Sequence, residues 1–231
     1  MLIGILQTDS VVHQFQPKFG DYPQMFMELL EQSAGRDLHF RAIDCQAMDY
    51  PRAESCDAYI ITGSRFSVYD DEPWIPELVE FVDRALQADR KVVGICFGHQ
   101  LIAHFFGGET AEVGWAVGVH RCDVVATANW MRPAKSGFAL LSSHKDQVVE
   151  LPTDARLLVS SDFCPNSGYA IGEQVFTLQG HPEFSKPYAR ALLNLRRELL
   201  GQATFQQGMR SLAEDTHERD MAMWITNFIG G

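Results

Sequence analysis

Short apolar runs alternate with helical segments through the first half of the chain, and this alternation limits the possible folds most strongly. Each run is short enough to be a strand buried on both faces of a sheet. Between the runs, residues 23–30, 76–86 and 98–106 space their apolar side chains three and four positions apart, which is the helical period. Strands separated by helices form βαβ units, so we expect a doubly wound, mostly parallel α/β sheet with helices on both faces. The strand candidates are residues 2–6, 38–43, 58–61 and 91–96.

The second half of the chain has a different order of apolar segments. Strand-like segments follow one another after residue 108 without long helices between them, which predicts an antiparallel or mixed extension of the same sheet. These segments are residues 113–125, 138–142, 157–159, 169–171 and 175–178. Residues 186–200 and 216–228 are predicted to close the chain as helices. No repeat or linker interrupts the sequence, so we interpret residues 1–231 as a single domain.

Charge and cysteine content exclude several classes of protein. The formal net charge is −11 and no window is basic, which argues against a nucleic-acid binder. No segment approaches the roughly 18 apolar residues of a membrane span, and the N-terminus lacks the pattern of a signal peptide. The five cysteines include no CxxC pair. A reducing compartment suits such a chain, and we expect a cytoplasmic protein.

A cysteine lies between two glycines where the fourth predicted strand meets a helix. The spacing Gly94-x-Cys96-x-Gly98 is the thiol counterpart of the G-x-S-x-G nucleophile elbow. Small neighbours allow the strained turn that displays such a side chain. The helix that begins after Cys96 favours the thiolate and directs the N–H of Phe97 toward an oxyanion. The alternative is a buried structural cysteine.

His181 and Glu183 directly follow the last predicted strand. In an extended segment residues i and i+2 face the same side, so the carboxylate of Glu183 could orient the imidazole of His181. A loop histidine and a solvated glutamate at the start of a helix are the alternative interpretation. His144 is a competing candidate for the base, because it too lies just past a predicted strand.

These motifs together resemble the class I, triad-type glutamine amidotransferases. The resemblance rests on G-I-C-F-G-H-Q at residues 94–100 and H-P-E at residues 181–183. It is closer to the glutaminase domain of GMP synthase and its stand-alone relatives. Further segments agree in the family's order: I-I-T-G-S at residues 60–64, E-V-G-W at residues 112–115 and S-H-K-D-Q-V at residues 143–148.

The resemblance implies a flavodoxin-like architecture and a complete set of roles. Cys96 would attack the γ-carboxamide of glutamine and form a thioester, and His181 would protonate the departing ammonia and then activate water. Glu183 would orient His181, and the amides of Gly63 and Phe97 would bind the oxyanion. Residues implied at the glutamine site are Gln100, His144 and Asp146. The reaction requires no cofactor and no metal.

Departures from the family pattern leave the substrate open. No G-x-x-x-x-G-K-[ST] loop is present, so we expect any ammonia acceptor to lie on a separate synthetase subunit. Residues 65–71 enlarge the pocket wall, as in stand-alone relatives that hydrolyse γ-glutamyl peptides. A γ-glutamyl peptidase is therefore the main alternative to a glutaminase. Arg65 could bind a carboxylate of the longer substrate, or it could be a surface arginine paired with Asp70 or Asp71.

Two further alternatives come from other classes. A regulatory subunit without catalytic activity could keep this fold, although the retention of Cys96, His181 and Glu183 together with Gln100 argues against it. His99 and His104 suggest a metal site, but their i, i+5 spacing on a helix and the lack of a third ligand disfavour it. The expected partner is glutamine or another γ-glutamyl compound, with neither nucleic acid nor a membrane.

Overall fold

The computed structural model describes residues 1–32, 35 and 37–231, and within these the chain forms nine strands and seven α-helices. The strands are β1 (Leu2–Gln7), β2 (His39–Asp44), β3 (Ala58–Ile61), β4 (Lys91–Ile95), β5 (Glu109–Val124), β6 (Gly137–Glu150), β7 (Ala155–Ser160), β8 (Gly168–Ile171) and β9 (Val175–Leu178). The helices are α1 (Gln16–Phe19), α2 (Tyr22–Glu31), α3 (Trp74–Gln87), α4 (Phe97–Phe105), α5 (Lys186–Leu195), α6 (Arg197–Ser211) and α7 (Glu218–Gly230).

These strands form one sheet in the order β2-β1-β3-β4-β9-β8-β7-β5-β6. The first five positions pair in parallel, and the pairs from β9 to β6 are antiparallel. The predicted parallel core with an antiparallel extension is therefore confirmed. Because β9 pairs with β4, the last strand of the chain ends beside the strand that leads into the cysteine turn. The carboxyl ends of parallel strands are where α/β sheets carry their sites.

Apolar side chains cover both faces of the parallel part. Helices α2 and α7 pack on one face around Phe26 and Trp224, and α3 and α4 pack on the other around Phe81 and Leu101. A third apolar cluster joins α5 and α6 to β5 and β6. Among the helices of the described residues, none is long and apolar enough to cross a membrane.

The structure differs from the sequence-based prediction in the length of β6 and of the helix after residue 186, and it adds α1, which was not predicted. Strand β6 continues to Glu150, far beyond residue 142, because it pairs with β5 almost throughout, with irregularities in the ladder near Glu112. The helix predicted for residues 186–200 ends at Leu195, where Arg196 leaves helical geometry, and α6 follows. Helix α6 was not predicted as a separate element. It is interrupted at Gly201, whose φ of 73° no helix accommodates.

Candidate active site

Cys96 occupies a strained turn between β4 and α4. Its φ of 51° and ψ of −98° lie outside the regions that non-glycine residues normally adopt, at a cost of about 1–3 kcal/mol. The turn is held because the N–H of Cys96 donates to the carbonyl of Leu178 at 2.9 Å and its carbonyl accepts from the N–H of Gln100 at 3.0 Å. The surrounding sheet and helix thus fix a conformation that the residue alone would avoid.

Both glycines of the elbow are required by close contacts rather than by their backbone angles. A Cβ on Gly94 would lie 2.6 Å from the carbonyl oxygen of Gly98, and a Cβ on Gly98 would lie 2.6 Å from the Cβ of Ile61. Cβ atoms in proteins essentially never make contacts this short, so either side chain would push α4 away from the sheet. The G-x-C-x-G spacing therefore has a packing cause in this chain.

His181 and Glu183 meet behind the cysteine turn. The imidazole Nδ1 of His181 lies 2.7 Å from Oε1 of Glu183, and both side chains are buried. His181 pairs with Leu141 of β6 in an isolated bridge, and its N–H donates to the Leu141 carbonyl at 2.8 Å. The chain turns at Glu183, so the prediction of an extended segment from His181 to Glu183 is wrong. The two side chains nevertheless meet, as predicted. Phe184 stacks on the imidazole, with 3.9 Å between ring centroids.

Electrostatics distinguish the two histidines near Cys96. Burial alone would lower the pKa of His181, but the Glu183 carboxylate and interactions with Cys96 outweigh it, so this pKa is raised. Burial lowers the pKa of His144 to about 3, with His181 adding to the effect, and its Nδ1 lies 3.1 Å from the Asp146 carbonyl. His144 is therefore neutral and a poor proton acceptor, whereas His181 readily holds a proton.

Two backbone segments lie against Cys96, the first residue of α4 and the loop after β3. Phe97 is the first residue of α4, so its N–H has no partner within the helix. Gly63 lies close to both His181 and Cys96. A Cβ on Gly63 would lie 2.6 Å from Cε1 of His181 and 3.5 Å from Cβ of Cys96. Only glycine fits against the imidazole at this position.

A cleft opens beside the cysteine. Its lining residues are Ser64, Arg65, Phe66, Cys96, Gln100, Trp115, Ser143, His144, Lys145, Asp146 and Arg196. The Asp146 carboxylate accepts hydrogen bonds from the hydroxyls of Ser67, at 2.5 Å, and Tyr69, at 2.9 Å. Gln100 donates from Nε2 to the Asp146 carbonyl and to Gln179. The structure thus brings Gln100, His144 and Asp146 together in one cleft with Cys96.

Arg65 pairs with Asp9, not with Asp70 or Asp71. Its guanidinium lies 3.3 Å from Oδ1 of Asp9, and its N–H donates to Oδ2 at 3.0 Å. Burial raises the pKa of Asp9, and hydrogen bonds together with the charges of Arg65 and Arg196 partly offset the effect. The pairing arises because Asp9 follows β1, the neighbour of β3, in a position that sequence distance does not reveal.

Arg196 is a cleft residue that the sequence analysis missed. It follows α5, donates from Nη1 to the Ser143 hydroxyl at 2.8 Å and places its guanidinium 5.6 Å from the centroid of the Trp115 ring. No local sequence pattern distinguishes it from the other arginines at or near the helices.

Asp9 is a second residue near the cleft that the sequence analysis missed. It could have been proposed as a site residue from the sequence, since polar residues directly after a buried parallel strand lie where sites form.

His99 and His104, the pair considered for a metal, lie apart from this cleft. His99 is fully buried, its Nδ1 lies 2.8 Å from the Thr177 hydroxyl, and burial lowers its pKa to about 3. The ring of His104 packs against Tyr69 and Phe105. Among the residues that the structure describes, no group of three or more His, Cys, Asp or Glu side chains is arranged to hold a metal ion.

Known proteins share both the sequence pattern and the architecture. Gamma-glutamyl peptidase 3 of Arabidopsis thaliana is 29% identical over 227 residues, which cover 92% of this chain and 90% of that protein. GMP synthase (glutamine-hydrolyzing) of Bacteroides fragilis is 28% identical over 162 residues, covering 66% of this chain and 30% of that protein. The crystal structure of a glutamine amidotransferase from Thermotoga maritima has the same fold, with a TM-score of 0.74 at 16% identity and 99% coverage of both chains.

The family match covers all the lining residues of the cleft except Arg196. The model of the class-I glutamine amidotransferase family matches residues 24–195, which include the cysteine elbow, the loop at Gly63 and the His181–Glu183 pair. The relatives named above are, by their names, a gamma-glutamyl peptidase, a glutamine-hydrolyzing GMP synthase and a glutamine amidotransferase. The resemblance inferred from the motifs is confirmed, and the chain belongs to the class-I glutamine amidotransferase family.

Proposed function

We propose that Cys96, His181 and Glu183 form a catalytic triad that hydrolyses γ-glutamyl amide bonds. The Cys96 sulfur bonds to the γ-carbonyl carbon, the C–N bond breaks, and His181 gives its proton to the departing amine. Water then attacks the γ-glutamyl thioester, His181 takes a proton from that water, and glutamate leaves with the sulfur restored. The amides of Gly63 and Phe97 bind the oxyanion in both steps.

One observation supports this proposal more than any other, the environment of His181. Its pKa is raised by Glu183 on one side and by Cys96 on the other. A proton carrier next to a nucleophile needs this placement between an orienting carboxylate and the reacting thiol. His144 has the opposite pKa shift, so we assign it to the wall of the cleft rather than to proton transfer.

The cleft also supports a choice among substrates. We assign the α-ammonium group of the γ-glutamyl moiety to Asp146, the buried carboxylate of the cleft, and a further contact to Gln100. Arg65 and Arg196 line the same cleft, and Arg65 pairs with Asp9, whereas Arg196 has no carboxylate partner among the ion pairs of the described residues. Free glutamine carries no carboxylate on its leaving side, whereas a γ-glutamyl peptide does. We therefore propose γ-glutamyl peptides as the preferred class and glutamine as the smallest substrate.

A comparison of substrates tests the proposal. Glutamate release is measured with the isolated chain on glutamine, on glutathione and on a γ-glutamyl dipeptide, each at several concentrations. We expect hydrolysis of all three, with higher kcat/KM for the two peptides. A chain that is inert toward every γ-glutamyl compound until a second protein is added would instead support the subunit interpretation.

Removing either arginine should weaken peptide binding selectively. We expect Arg196→Ala to raise KM for γ-glutamyl peptides about tenfold, the effect of one charge-assisted hydrogen bond, with little change for glutamine. Arg65→Ala should act in the same direction but more weakly, because its side chain is 60% exposed and solvent screens the charge. The matched control is the same peptide with its carboxylate amidated. Equal KM increases for the amidated and free peptides would contradict this assignment.

Glu183→Gln should move the alkaline limb of the pH profile. His181 must carry a proton to protonate the leaving amine, and Glu183 raises the pKa at which that proton is lost. Glutamine keeps the shape of the side chain but not its charge, so the pKa of His181 falls. We expect the alkaline limb of kcat/KM to shift to lower pH than in the unsubstituted chain. An unshifted limb would show that Glu183 does not control the proton of His181.

Location, domain structure and partners follow as further parts of the proposal. The described residues include all five cysteines, and each is a free thiol, which supports a cytoplasmic location. The continuous sheet supports treating residues 1–231 as one domain. We propose that the chain acts without a synthetase subunit, since a peptidase transfers no ammonia to an acceptor.

A further inference from the structure

Two buried threonines lie at the carboxyl ends of β1 and β3. Because these parallel strands pair with Leu6 opposite Ile61, the residues that follow them run side by side. Thr8 and Thr62 therefore meet, and both are completely buried. Their hydroxyl oxygens are 3.0 Å apart, and the Thr8 hydroxyl lies 2.9 Å from the carbonyl oxygen of Gly63.

Counting protons gives this cluster a direction. The N–H of Thr8 lies 3.1 Å from the hydroxyl oxygen of Thr62 and can only donate to it. The Thr62 hydroxyl then has two acceptors, the Thr8 hydroxyl oxygen at 3.0 Å and the Gly63 carbonyl at 3.2 Å, and the Thr8 hydroxyl donates its single proton to its nearest acceptor, the Gly63 carbonyl at 2.9 Å. Each of these protons has an acceptor within the cluster, and hydrogen bonds that share a hydroxyl polarise one another. The chain of hydrogen bonds therefore ends on the Gly63 carbonyl.

This carbonyl decides where the neighbouring amides point. In a trans peptide the C=O and N–H face opposite ways, so a Gly63 carbonyl turned toward Thr8 directs the N–H of Ser64 away from it. The Thr62 carbonyl also lies near Thr8, 3.3 Å from its hydroxyl oxygen, which turns the N–H of Gly63 away as well. In the part of the chain that the structure describes, neither N–H has a hydrogen-bond acceptor.

The next residue provides a second attachment for the same loop. Asp9 accepts the N–H of Arg65 at 3.0 Å, so consecutive residues after β1 hold residues 62–65 at two points. Glycine at position 63 would otherwise permit either orientation of its peptide groups. The contacts of Gly63 with His181 and Cys96 place this loop at the reacting groups.

We propose that Thr8 and Thr62 are positioning residues that hold the loop at Gly63 with its amides free to bind the oxyanion. This inference rests on the proposed hydrolysis of γ-glutamyl amides. The oxyanion site is then complete in the isolated chain, because the hydrogen bonds that orient the loop come from this polypeptide. Neither threonine touches substrate, and each acts through the peptide groups of the loop.

Substitution with valine tests this role, since valine keeps the shape of threonine and removes the hydroxyl. We expect Thr8→Val to lower kcat for a γ-glutamyl peptide on the order of 10²-fold, the effect of losing one oxyanion donor, with KM nearly unchanged. Thr62→Val should act in the same direction but more weakly, because the Thr8 hydroxyl still donates to the Gly63 carbonyl, and the double variant should cost at least as much as Thr8→Val, because neither hydroxyl is then left for that carbonyl. Thr8→Ser and Thr62→Ser keep the hydroxyl and should restore most of the rate.

Alkylation of Cys96 by iodoacetamide separates positioning from general damage. That reaction forms no oxyanion, so its rate should be the same in Thr8→Val as in the unsubstituted chain. Unchanged kcat in both valine variants would overturn the inference, as would an alkylation rate that falls in parallel with kcat. If a valine variant does not fold, the serine variant decides, because loss of kcat despite a retained hydroxyl also overturns it. An unsubstituted chain that hydrolyses no γ-glutamyl compound would instead refute the proposed function.

Discussion

Cys96→Ala should abolish hydrolysis of every γ-glutamyl substrate while leaving the fold intact. We expect a loss of about 10⁴-fold or more in kcat, as when other triads lose their nucleophile. Alanine is smaller than cysteine and the side chain lies at a cleft, so the melting temperature should change little. Glutamate release and thermal unfolding are measured on the same preparation. Turnover that survives in Cys96→Ala would refute the whole mechanism.

Chemical labelling gives the same prediction an independent measurement. A glutamine-mimicking chloroketone should modify Cys96 in preference to the other four cysteines. Burial raises the pKa of Cys45 and Cys164 to about 12, and it raises the pKa of Cys56 and Cys122 as well, so these thiols rarely form the reactive thiolate. Cys122→Ala is the matched control and should retain both labelling and activity. Labelling spread over several cysteines would argue against a special site.

His181→Ala should be nearly as damaging as loss of the cysteine. No other described histidine near Cys96 can replace it, because burial holds the pKa of His144 at about 3. We therefore expect a loss of about 10⁴-fold in kcat. The matched variant is His144→Ala, which should change KM or stability more than kcat. A His144→Ala variant with the larger loss of kcat would reverse the assignment of the base.

Glu183→Ala should retain more activity than His181→Ala. In the proposed mechanism Glu183 orients the imidazole and stabilises its charge without exchanging protons itself, so we expect part of the rate to survive its removal. In a well-studied triad, removing the acidic residue lowers kcat by a factor on the order of 10² smaller than removing either other residue. We expect a similar difference here. Comparison of kcat for the two variants on one γ-glutamyl peptide measures that gap. A greater loss in Glu183→Ala would show that the roles are assigned wrongly.

The parallel core and the candidate triad could be predicted from the sequence because their signals are local. Apolar runs and helical spacings reflect which faces of each element are buried, so residues 58–61 and 175–178 were predicted with the bounds of β3 and β9. The cysteine elbow occupies five consecutive residues, and its glycines are required by contacts within that turn and its neighbouring strand. His181 and Glu183 are two residues apart, so their meeting needed no knowledge of distant segments.

The rest of the cleft depends on contacts between distant segments. Asp9 and Arg65 are separated by 56 positions, and Thr8 and Thr62 by 54, so only the pairing of β1 with β3 brings them together. Arg196 reaches Ser143 from 53 positions away, across the interface of α5 with β6. No local period records such a contact, because strand register and helix placement are set by packing throughout the fold.

The difference between what the sequence determines and what the tertiary structure determines is clearest for the two candidate histidines. From the sequence, His144 and His181 were both residues just past a strand. Burial and neighbouring charges separate them, since Glu183 and Cys96 raise the pKa of His181 whereas desolvation lowers that of His144. The sequence by itself thus determined the fold class and the residue types of the site. Tertiary structure decided which charged residues lie close enough to interact and which carbonyl the two threonines bind. The reason is that electrostatic and hydrogen-bond energies depend on distances through space rather than along the chain.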